Sequence, residues 1–477
     1  MFLSVKFSFI RDVTLDLPIS PSVTILSENI DQSDNPDIVT FSFSPLIEDL
    51  DSYLFSYTWD FGDGNYSDQE NPIHEYNIQN GFENSVILIV EDESGKQGWA
   101  SKIINLDPQN DDPSLIKINF VGDIMMGRRF EEENGIITNQ GANALFEPTY
   151  EILGLAADIT VANLEVPFTT QETAHPTKGI VFKSSPNNVN ALVYAGIDVV
   201  SIANNHILDF MEPGLLETQE TLTQSGILFS GAGMNSHEAY LPTFKSVKGK
   251  TIAFIASSDR TGQYNNYQPY LNAGENKSGF AYMTPYYLKK QIESVKNISD
   301  LTIVELHSGS EYSYEPGSDY DYNSSRDEFA KIRYNPASNS GFETILLEEE
   351  DYSWRLDNPQ MWDRAIRHFA IDQGADVVIV HHPHIIQGLE IYNGKLIAHS
   401  LGNFIFDLNY PETYPSMILN GEANQYGLFN YSISPVYIDD YLTKPATGEL
   451  ANYILHYVAN QSKELDTYLH VDTDSHQ

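Results

Sequence analysis

The chain has 477 residues, and its 67 acidic and 26 basic side chains give a formal net charge of −41. Roughly 100 to 200 residues per domain predicts about two to four domains, and a surface this negative repels phosphate backbones, which argues against nucleic-acid binding, and attracts cations. Hydrophobic residues make up 41% of the chain, enough for packed cores, and the absence of cysteine excludes disulfides and thiolate chemistry.

Residues 1–20 are predicted to be an N-terminal leader or arm. The opening stretch is apolar, but Lys6 and Arg11 interrupt it and no small-residue cleavage site follows, so it makes a poor signal peptide. Since the chain has no run of about 18 apolar residues, we expect no transmembrane helix.

Residues 21–106 carry short alternating apolar runs between polar turns, for example at 38–43, 54–59 and 85–90, and show no helical period. Alternation with a period of two is typical of half-buried strands, so this segment is predicted to be a small antiparallel β-sandwich. Residues 107–114 contain two prolines and no apolar residue and are predicted to be a linker.

Residues 115–466 alternate apolar runs of strand length with helical patterns, which predicts a layered α/β domain. Strands are expected at 116–121, 159–162, 199–203, 252–256, 301–306, 377–380, 396–398 and 428–436. Helices are expected at 187–195, 214–225, 288–296, 362–372 and 450–462. Residues 467–477 are predicted to be a tail.

Two long polar stretches, 259–280 and 312–359, interrupt this pattern. Both are rich in Tyr, Asn and Ser and show little periodicity. Loops of such length in a compact domain are usually functional or disordered, so both are candidate lids.

The string Tyr57-Thr58-Trp59-Asp60-Phe61-Gly62-Asp63-Gly64, followed by His74-Glu75-Tyr76, resembles the polycystic-kidney-disease (PKD) repeat. Trp59 and Phe61 alternate toward a core, and the two glycines permit the positive φ of a tight hairpin. The resemblance implies an Ig-like β-sandwich and an extracellular or cell-surface location. Asp60 and Asp63 are either calcium ligands or turn-forming residues.

Polar side chains follow the apolar runs of the second domain at the points where the predicted strands end. In open α/β sheets, ligands bind in the crevice outside the carboxyl ends of the strands, so these side chains are expected to meet. They are Asp123, Asn163, Glu165, Asn204, Asn205, His206, His307, His381, His382, His384 and Asn403.

Carboxylate, imidazole and amide oxygen are ligands of divalent metals such as Mn, Fe and Zn. His382 and His384 are two residues apart, so in an extended segment both rings project to the same side. Two metals can clamp a phosphoryl group and activate water. Taken singly, Asp123 also fits a helix cap, the Asn204-Asn205 pair a turn, and His307 a core histidine.

Basic residues near the same strand ends are candidates to bind an anionic substrate. They are Arg128, Arg129, Lys178 and Lys183.

The second domain resembles the CapA family of capsule and poly-γ-glutamate biosynthesis proteins, a branch of the calcineurin-like metallophosphoesterases. The matching strings extend in order from about residue 116 to 407. They are Val121-Gly122-Asp123-Ile124-Met125-Met126-Gly127-Arg128, Ala162-Asn163-Leu164-Glu165, Asn204-Asn205-His206, Leu306-His307 with Glu311, His382-Pro383-His384 and Gly402-Asn403-Phe404.

The resemblance implies a four-layer α/β/β/α sandwich holding one or two divalent metals. The implied ligands are Asp123, Glu165, Asn205, His307, His382 and His384. His206 would protonate a leaving group, with Asp123 and Arg128 as the other catalytic residues. The implied substrate contacts are Arg128, Asn163, Asn204, Lys183, Glu311, His381 and Asn403. Met125 stands where phosphoesterases usually carry a histidine, so full two-metal occupancy stays open.

Three functions follow from these observations. The leading hypothesis is a metal-dependent hydrolase at the cell surface that acts on a phosphoester or on an acidic cell-envelope polymer. The alternatives are a non-catalytic envelope protein that binds such a polymer and a phosphatase for small molecules. The fold does not decide between the substrates.

Overall fold

A computed structural model describes residues 21–30, 38–48, 54–77, 83–93, 95–105, 115–259, 271–316, 332–334, 342–344, 362–424, 427–469 and 471. The chain forms two compact units, Met1–Asp112 with Tyr468–His470 and Pro113–Thr467 with Val471–Gln477. The predicted leader, the predicted linker, residues 260–270, most of 312–359 and most of the tail lie outside the described residues.

The first unit is all β in the part that the structure describes. Its strands are β1 (Ser22–Asn29), β2 (Ile38–Glu48), β3 (Phe55–Asp60), β4 (Tyr66–Ser67), β5 (Ile73–Asn77), β6 (Glu83–Asp92) and β7 (Gln97–Asn105). They form two antiparallel sheets, ordered β1-β2-β5 and β4-β3-β6-β7. Side chains from both sheets meet in one core, which confirms the predicted sandwich.

Trp59 is the centre of this core and is fully buried. Its ring lies 5.7 Å from that of Phe43 in the opposite sheet, and its indole Nε1 donates to the Gln69 carbonyl at 2.9 Å. In the turn that follows, Asp60 accepts a hydrogen bond from the Gly62 amide at 2.9 Å, and Gly62 has a φ of 76°.

Asp63 also accepts a hydrogen bond from a backbone amide of this turn, and it contacts His74 as well. Its Oδ1 accepts from the Asn65 amide at 3.1 Å, and its Oδ2 lies 2.8 Å from Nε2 of His74. Asp60 and Asp63 therefore act in the turn, and calcium binding by them stays a prediction.

The second unit contains the remaining strands and the helices of the described chain. The strands are β8 (Ile116–Ile124), β9 (Ile159–Leu164), β10 (Val199–Ser201), β11 (Leu228–Ser230), β12 (Ala232–Gly233), β13 (Thr243–Val247), β14 (Lys250–Ser258), β15 (Gly279–Phe280), β16 (Leu301–His307), β17 (Ile332–Tyr334), β18 (Phe342–Thr344), β19 (Val377–His381), β20 (Leu389–Tyr392), β21 (Lys395–Ala398), β22 (Asn403–Ile405), β23 (Pro415–Asn424), β24 (Gly427–Asp439) and β25 (Leu442–Pro445).

The α-helices are α1 (Ile136–Gln140), α2 (Tyr150–Leu153), α3 (Val189–Tyr194), α4 (Met211–Gln224), α5 (Ser236–Ala239), α6 (Pro285–Val295), α7 (Trp362–Gln373) and α8 (Gly448–Lys463). Short 3-10 turns lie at Arg128–Phe130, Ala142–Leu145, Glu147–Thr149, Pro186–Asn188 and Pro411–Thr413.

Two mixed sheets organise this unit. One has the order β11-β10-β9-β8-β23-β24-β25 with β22 beside β8, and the other has the order β13-β14-β16-β19-β21-β20. In the first, β8 to β11 run parallel, and in the second β14, β16, β19 and β21 run parallel. Helices α6 and α7 pack on the second sheet. These layers confirm the predicted α/β class.

The parallel strands are nearly continuous apolar runs because both of their faces are covered. Every residue of β16 is buried, including Glu305 and His307. The carboxyl ends of the parallel strands in each sheet carry the polar residues that were singled out in the sequence, except Asn403, which begins β22.

The described part of the first candidate lid is packed structure. Leu271, Asn272 and Phe280 are buried, and β15 pairs with β12. Most of residues 271–280 are therefore buried, with Glu275 and Asn276 exposed, and a lid role for 259–280 stays a prediction.

A buried charged cluster joins α7 to β20 and β21. Arg367 is fully buried and its Nη1 donates to Nδ1 of His399 at 2.6 Å. Since arginine only donates, Nε2 of His399 carries the ring proton and donates to Oε2 of Glu390 at 2.8 Å. The other oxygen of Glu390 binds Arg364 at 2.6 Å and His368 at 2.7 Å. Protonation of Nδ1 of His399 would place an N–H against the Arg367 guanidinium, which has no acceptor for it.

This cluster makes stability depend on pH. Burial, reinforced by Arg367, lowers the pKa of His399 from 6.5 to about 4. Between these values the unfolded chain binds a proton that the folded chain does not, so the free energy of unfolding falls as the pH falls through this window. In the parent chain, His399 is expected to lower the free energy of unfolding by about 3 kcal/mol across this window, and the His399→Gln variant should lack that change. Hydrogen exchange of the β19 amides between pH 7 and 4 measures it.

His456 is exposed on α8, and His456→Gln is the matched control. It should keep the pH dependence of the parent chain. Equal slopes for the parent and the His399→Gln variant would contradict the assignment.

Candidate metal centre

Close backbone packing brings the first predicted ligand into place. Asp123 is the penultimate residue of β8, and its amide donates to the Gly402 carbonyl at 3.0 Å. A Cβ on Gly122 would lie 2.0 Å from that same carbonyl oxygen, so only glycine allows the approach. This contact brings Asn403 of β22 beside Asp123.

Six side chains, which we call the His–carboxylate cluster, offer ligand atoms to a metal ion. They fall into three overlapping sets whose ligand atoms lie within 4.8 Å of one another. The sets are Asp123 with Glu165 and His384; Glu165 with His307 and His382; and Glu311 with His382 and His384. All except Glu311 are buried. Because the sets share members, the sites they define are adjacent.

The environment of Glu165 favours a bound cation. It is fully buried, and neither carboxylate oxygen has a hydrogen-bond partner among the described residues. Its Oε1 lies 3.6 Å from Nε2 of His307. Burial, together with the charge of Asp123, raises the pKa of Glu165 well above its usual range. A buried carboxylate without a hydrogen bond is costly unless an ion compensates it, so the residues present fit a divalent metal.

Asp123 is held as a carboxylate. Burial acts to raise its pKa, but hydrogen bonds and charges from His381 and His384 outweigh burial and hold the pKa well below its usual range. Oδ1 lies 3.3 Å from Nδ1 of His381, and Oδ2 lies 3.3 Å from Nδ1 of His384. Asn403 is also at this point, with Oδ1 2.9 Å from Nδ1 of His384.

Asn163 and Asn204 lie beneath the cluster and are fully buried. Nδ2 of Asn163 donates to Asp123 at 2.8 Å, and Nδ2 of Asn204 donates to Asn163 at 3.1 Å. Oδ1 of Asn204 accepts from the His206 amide at 3.1 Å. Both residues, expected from the resemblance as substrate contacts, have the contacts of positioning residues that orient Asp123 and the 204–206 turn.

Asn205 and His307 face each other across the two sheets. Oδ1 of Asn205 lies 2.8 Å from Nε2 of His307, the ring nitrogen that also approaches Glu165. Burial lowers the pKa of His307 well below its usual range, so the ring is neutral and able to ligate a metal. Asn205 therefore lies at the cluster, as the resemblance implies.

His206 lies beside the cluster and is oriented from its far side. Its Nδ1 is 2.7 Å from Oδ2 of Asp209, and its Nε2 is 4.0 Å from Oε1 of Glu165. The ring stacks on Phe182 with centroids 3.7 Å apart. Lys178 donates to both Asp209 and the Asn205 carbonyl. Burial lowers the pKa of His206 to about 4 in spite of Asp209, so the ring is neutral at pH 7.

Arg128 and His206 both contact Phe182. The Arg128 guanidinium lies 4.6 Å from the centre of the Phe182 ring. It also forms a bidentate ion pair with Asp407, in which Nε donates at 3.1 Å. Its side chain remains 34% exposed, which leaves it within reach of a substrate anion.

Lys183, the other predicted cationic contact, bonds to the Gln171 carbonyl at 3.1 Å and to Glu172 at 3.2 Å. Glu172 is exposed, so this pair lies at the surface. Substrate binding by Lys183 stays a prediction.

The prediction that His382 and His384 lie in an extended segment is wrong. Their φ angles are 97° and 59°, in the left-handed region, and the Tyr312 amide holds the turn by donating to Pro383 at 2.8 Å. The two rings still meet in the cluster, 5.9 Å apart. Left-handed backbone at residues other than glycine costs free energy and persists only where surrounding contacts hold it, and residue types alone do not reveal it.

His381 has a partner that the sequence analysis missed. Oε2 of the fully buried Glu305 lies 3.7 Å from Nε2 of His381, and neither Glu305 oxygen has a hydrogen bond within the described chain. Burial acts to lower the pKa of His381, but Asp123 and Glu305 raise it to about 9. His381 is thus an internal link between two carboxylates. The sequence signal for Glu305 was its position as the single carboxylate inside the apolar strand β16.

Two further residues had no role assigned from the sequence. Asp209 orients His206, and Asp407 pairs with Arg128. Asp407 lies shortly after the Gly402-Asn403-Phe404 string, and Asp209 three residues after His206, so both spacings carried a weak signal.

The family model of the bacterial capsule synthesis protein PGA_cap matches residues 117–324 and 353–408, and a PKD-domain model matches residues 25–105. The PGA biosynthesis protein CapA of Bacillus subtilis (strain 168) is 26% identical over 349 residues, which cover 73% of this chain and 78% of that protein. The capsule biosynthesis protein CapA of Bacillus anthracis is 25% identical over 342 residues, 70% of each chain.

A solved PKD1 domain of the Vibrio cholerae metalloprotease PrtV is 25% identical and covers 19% of this chain and 99% of that chain, with a TM-score of 0.16. Among the described residues, no helix has both the length and the apolar character needed to cross a membrane. The two resemblances stated from the sequence motifs are confirmed by the two family models.

Proposed function

Because this chain belongs to the PGA_cap family of bacterial capsule synthesis proteins and carries an amino-terminal PKD domain, we propose that it is a metal-dependent hydrolase of the cell surface. Its substrate is a phosphoester or an acidic polymer of the cell envelope. The observation that carries the proposal is Glu165, fully buried among imidazoles with both carboxylate oxygens lacking a hydrogen bond in the described chain.

The ligands in this proposal are Asp123, Glu165, Asn205, His307, His382 and His384, with Glu311 at the exposed edge of the cluster. A divalent Mn, Fe or Zn ion held there supplies Lewis-acid polarisation of the scissile group and activation of a water nucleophile. The donor set of carboxylates, imidazoles and one amide oxygen suits these metals and offers no thiolate.

The protein's own part in the reaction centres on His206. Nδ1 of His206 keeps its proton and donates a hydrogen bond to Asp209, so Nε2 presents its lone pair toward Glu165. Because a bound substrate anion stabilises the imidazolium, Nε2 takes up a proton from solvent when the substrate binds, and the ring then donates that Nε2 proton to the leaving group and returns to its neutral form. Phe182 stacks on the ring and keeps its plane fixed.

In this proposal Arg128 is the cation that binds the substrate anion. Asp407 fixes its guanidinium and offsets part of its charge. With a net charge of −41, the protein repels an acidic substrate over most of its surface, so attraction has to come from the metal and from Arg128.

A surface location is supported by the PKD domain together with capsule-synthesis family membership. The strongly negative net charge suits a protein in a medium rich in cations.

A non-catalytic role in binding an envelope polymer is the second candidate, and Met125 favours it. The side chain is fully buried, and its sulfur accepts from the Gly127 amide at 3.2 Å, so this position offers no imidazole to a second metal. Such a protein binds polymer without cleaving it.

Metal removal tests the proposal. Purified protein is expected to contain about one to two equivalents of a divalent metal by elemental analysis and to hydrolyse bis-p-nitrophenyl phosphate or poly-γ-glutamate. Dialysis against a chelator should abolish turnover, and Mn²⁺ should restore it.

The results with the two substrates distinguish the candidate functions. Cleavage of the nitrophenyl phosphodiester without cleavage of poly-γ-glutamate favours a phosphoester over the acidic polymer as the substrate. Binding of poly-γ-glutamate without cleavage, in protein that contains no metal, would establish the non-catalytic role instead.

A further inference from the structure

Glu305 is a carboxylate to which the proposed reaction assigns no role. It lies in β16 and is fully buried, and neither of its oxygens has a hydrogen bond within the described chain. Its neighbours Val304 and Leu306 pack in the core beneath α6 and α7. Because side chains alternate along a strand, Glu305 lies on the opposite face, which it shares with His307. A carboxylate buried in this way costs free energy, so the group that faces it indicates its role.

His381 is the group that faces Glu305. In the parallel register of β16 and β19, Glu305 lies opposite Ile379, and His381 is two residues further along β19 on the same face. Nε2 of His381 is 3.7 Å from Oε2 of Glu305, and both side chains are buried. Among the described residues, Glu305 belongs to none of the three sets of the His–carboxylate cluster. Its contact with the metal centre is therefore indirect, through His381.

The opposite edge of the His381 ring meets Asp123 in the other sheet. Nδ1 of His381 lies 3.3 Å from Oδ1 of Asp123, and Nδ2 of Asn163 donates to the same oxygen at 2.8 Å. The second oxygen, Oδ2, lies 3.3 Å from Nδ1 of His384, which shares a ligand set with Asp123. Oδ1 is thus held by two neighbours, and Oδ2 faces the ligand set.

An imidazole with a partner at each nitrogen has a fixed ring plane, because rotation of the ring would break one contact or the other. Metal ligands in proteins are commonly oriented by such outer partners, and loss of one partner typically weakens metal binding about 10- to 100-fold. We propose that Glu305 is a positioning residue of the metal centre, which orients His381 and, through it, Asp123. The inference rests on the metal centre of the proposed function and is independent of whether the bound metal catalyses hydrolysis.

The affinity of the full chain for Mn²⁺, measured without substrate from the electron paramagnetic resonance signal of free Mn²⁺, tests this role. Glu305→Leu removes the acceptor and keeps a similar volume, so it is expected to weaken Mn²⁺ binding about 10- to 100-fold. Glu305→Gln keeps an oxygen that can accept from Nε2 of His381, so it should retain much of the affinity. Binding by Glu305→Gln that is as weak as binding by Glu305→Leu would contradict an orienting role.

A double variant tests whether Glu305 acts through His381. His381→Phe keeps a ring without nitrogen atoms, and by itself it is expected to weaken Mn²⁺ binding at least as much as Glu305→Leu does. Adding Glu305→Leu to His381→Phe should weaken binding little further, because the two residues act in one chain of contacts. If the two losses multiply, or if His381→Phe binds Mn²⁺ as the parent does, the proposal is wrong.

Glu390→Gln is the matched control. Glu390 is a buried glutamate of the same sheet, and its partners are Arg364, His368 and His399. The variant is expected to lower the thermal midpoint of unfolding, because it weakens these contacts, and to leave the Mn²⁺ affinity unchanged. The comparison separates a loss of stability from a loss of positioning.

The remaining outcomes distinguish this inference from the proposed function. Parent-like affinity in Glu305→Leu would overturn the role of Glu305 and leave the hydrolase proposal standing. A parent chain that binds Mn²⁺ but cleaves neither substrate would overturn the hydrolase proposal, whereas the affinities of the variants still decide the role of Glu305. A parent chain that binds no Mn²⁺ would contradict both.

Discussion

Replacing His382 and His384 together by glycine is expected to abolish stoichiometric metal binding and to lower the rate of hydrolysis by at least about a thousandfold. Each of the three sets of the His–carboxylate cluster contains at least one of these two imidazoles, so their loss leaves no set intact. Several kcal/mol of transition-state stabilisation then disappear, and each 1.36 kcal/mol is about tenfold in rate.

Glycine is chosen because of the backbone. Both positions have positive φ, which glycine adopts freely and alanine does not. A loss of metal in the glycine variant therefore reflects the missing ligands and not strain in the turn. Elemental analysis of the purified variant and its rate with Mn²⁺ are the measurements.

His456→Ala is the control for removing a histidine outside the cluster, because His456 is exposed on α8. It should retain both metal and rate. Normal turnover by the double glycine variant would refute the assigned site, whatever its metal content.

His206→Ala is expected to lower kcat by about 10² to 10⁴ on a substrate with a poor leaving group, such as an alkyl phosphodiester, while metal content stays unchanged. The reason is its position, with Nδ1 on Asp209 and Nε2 4.0 Å from Glu165. On bis-p-nitrophenyl phosphate the loss should be much smaller, because nitrophenolate leaves without a proton.

Asp209→Asn should reproduce most of this effect. An asparagine at 209 can offer an N–H to Nδ1, which favours the other tautomer of His206 and removes the lone pair from Nε2. His175→Gln is the neighbouring control, because the described contacts of that ring are with Thr177. An equal loss on both substrates would show that His206 positions the site and does not transfer a proton.

The fold followed from local patterns to a large extent. The alternating runs before residue 106 are strands of a β-sandwich centred on Trp59, and the apolar runs after residue 115 are strands of two mixed sheets. The helix expected at 450–462 is present as α8, Gly448–Lys463. Periodicity succeeds here because it reflects which faces of an element are covered.

The site was predictable as a set of residues but not as an arrangement. The sequence analysis placed Asp123, Glu165 and His307 at strand ends, and parallel strands bring such ends together. It missed Glu305, which lies 3.7 Å from His381, because a residue in mid-strand contacts neighbours that are far away in the chain.

The sequence by itself determined the chemical character of this protein: a chain with a net charge of −41 and no cysteine, with oxygen and imidazole groups at the ends of buried strands. The tertiary structure alone decided which of these groups share a cation site and which position others, as Asn204 does. It also decided that His382 and His384 meet through a left-handed turn. Residue type sets what a side chain can bind, whereas distance and burial, which depend on contacts remote in sequence, set what it does bind.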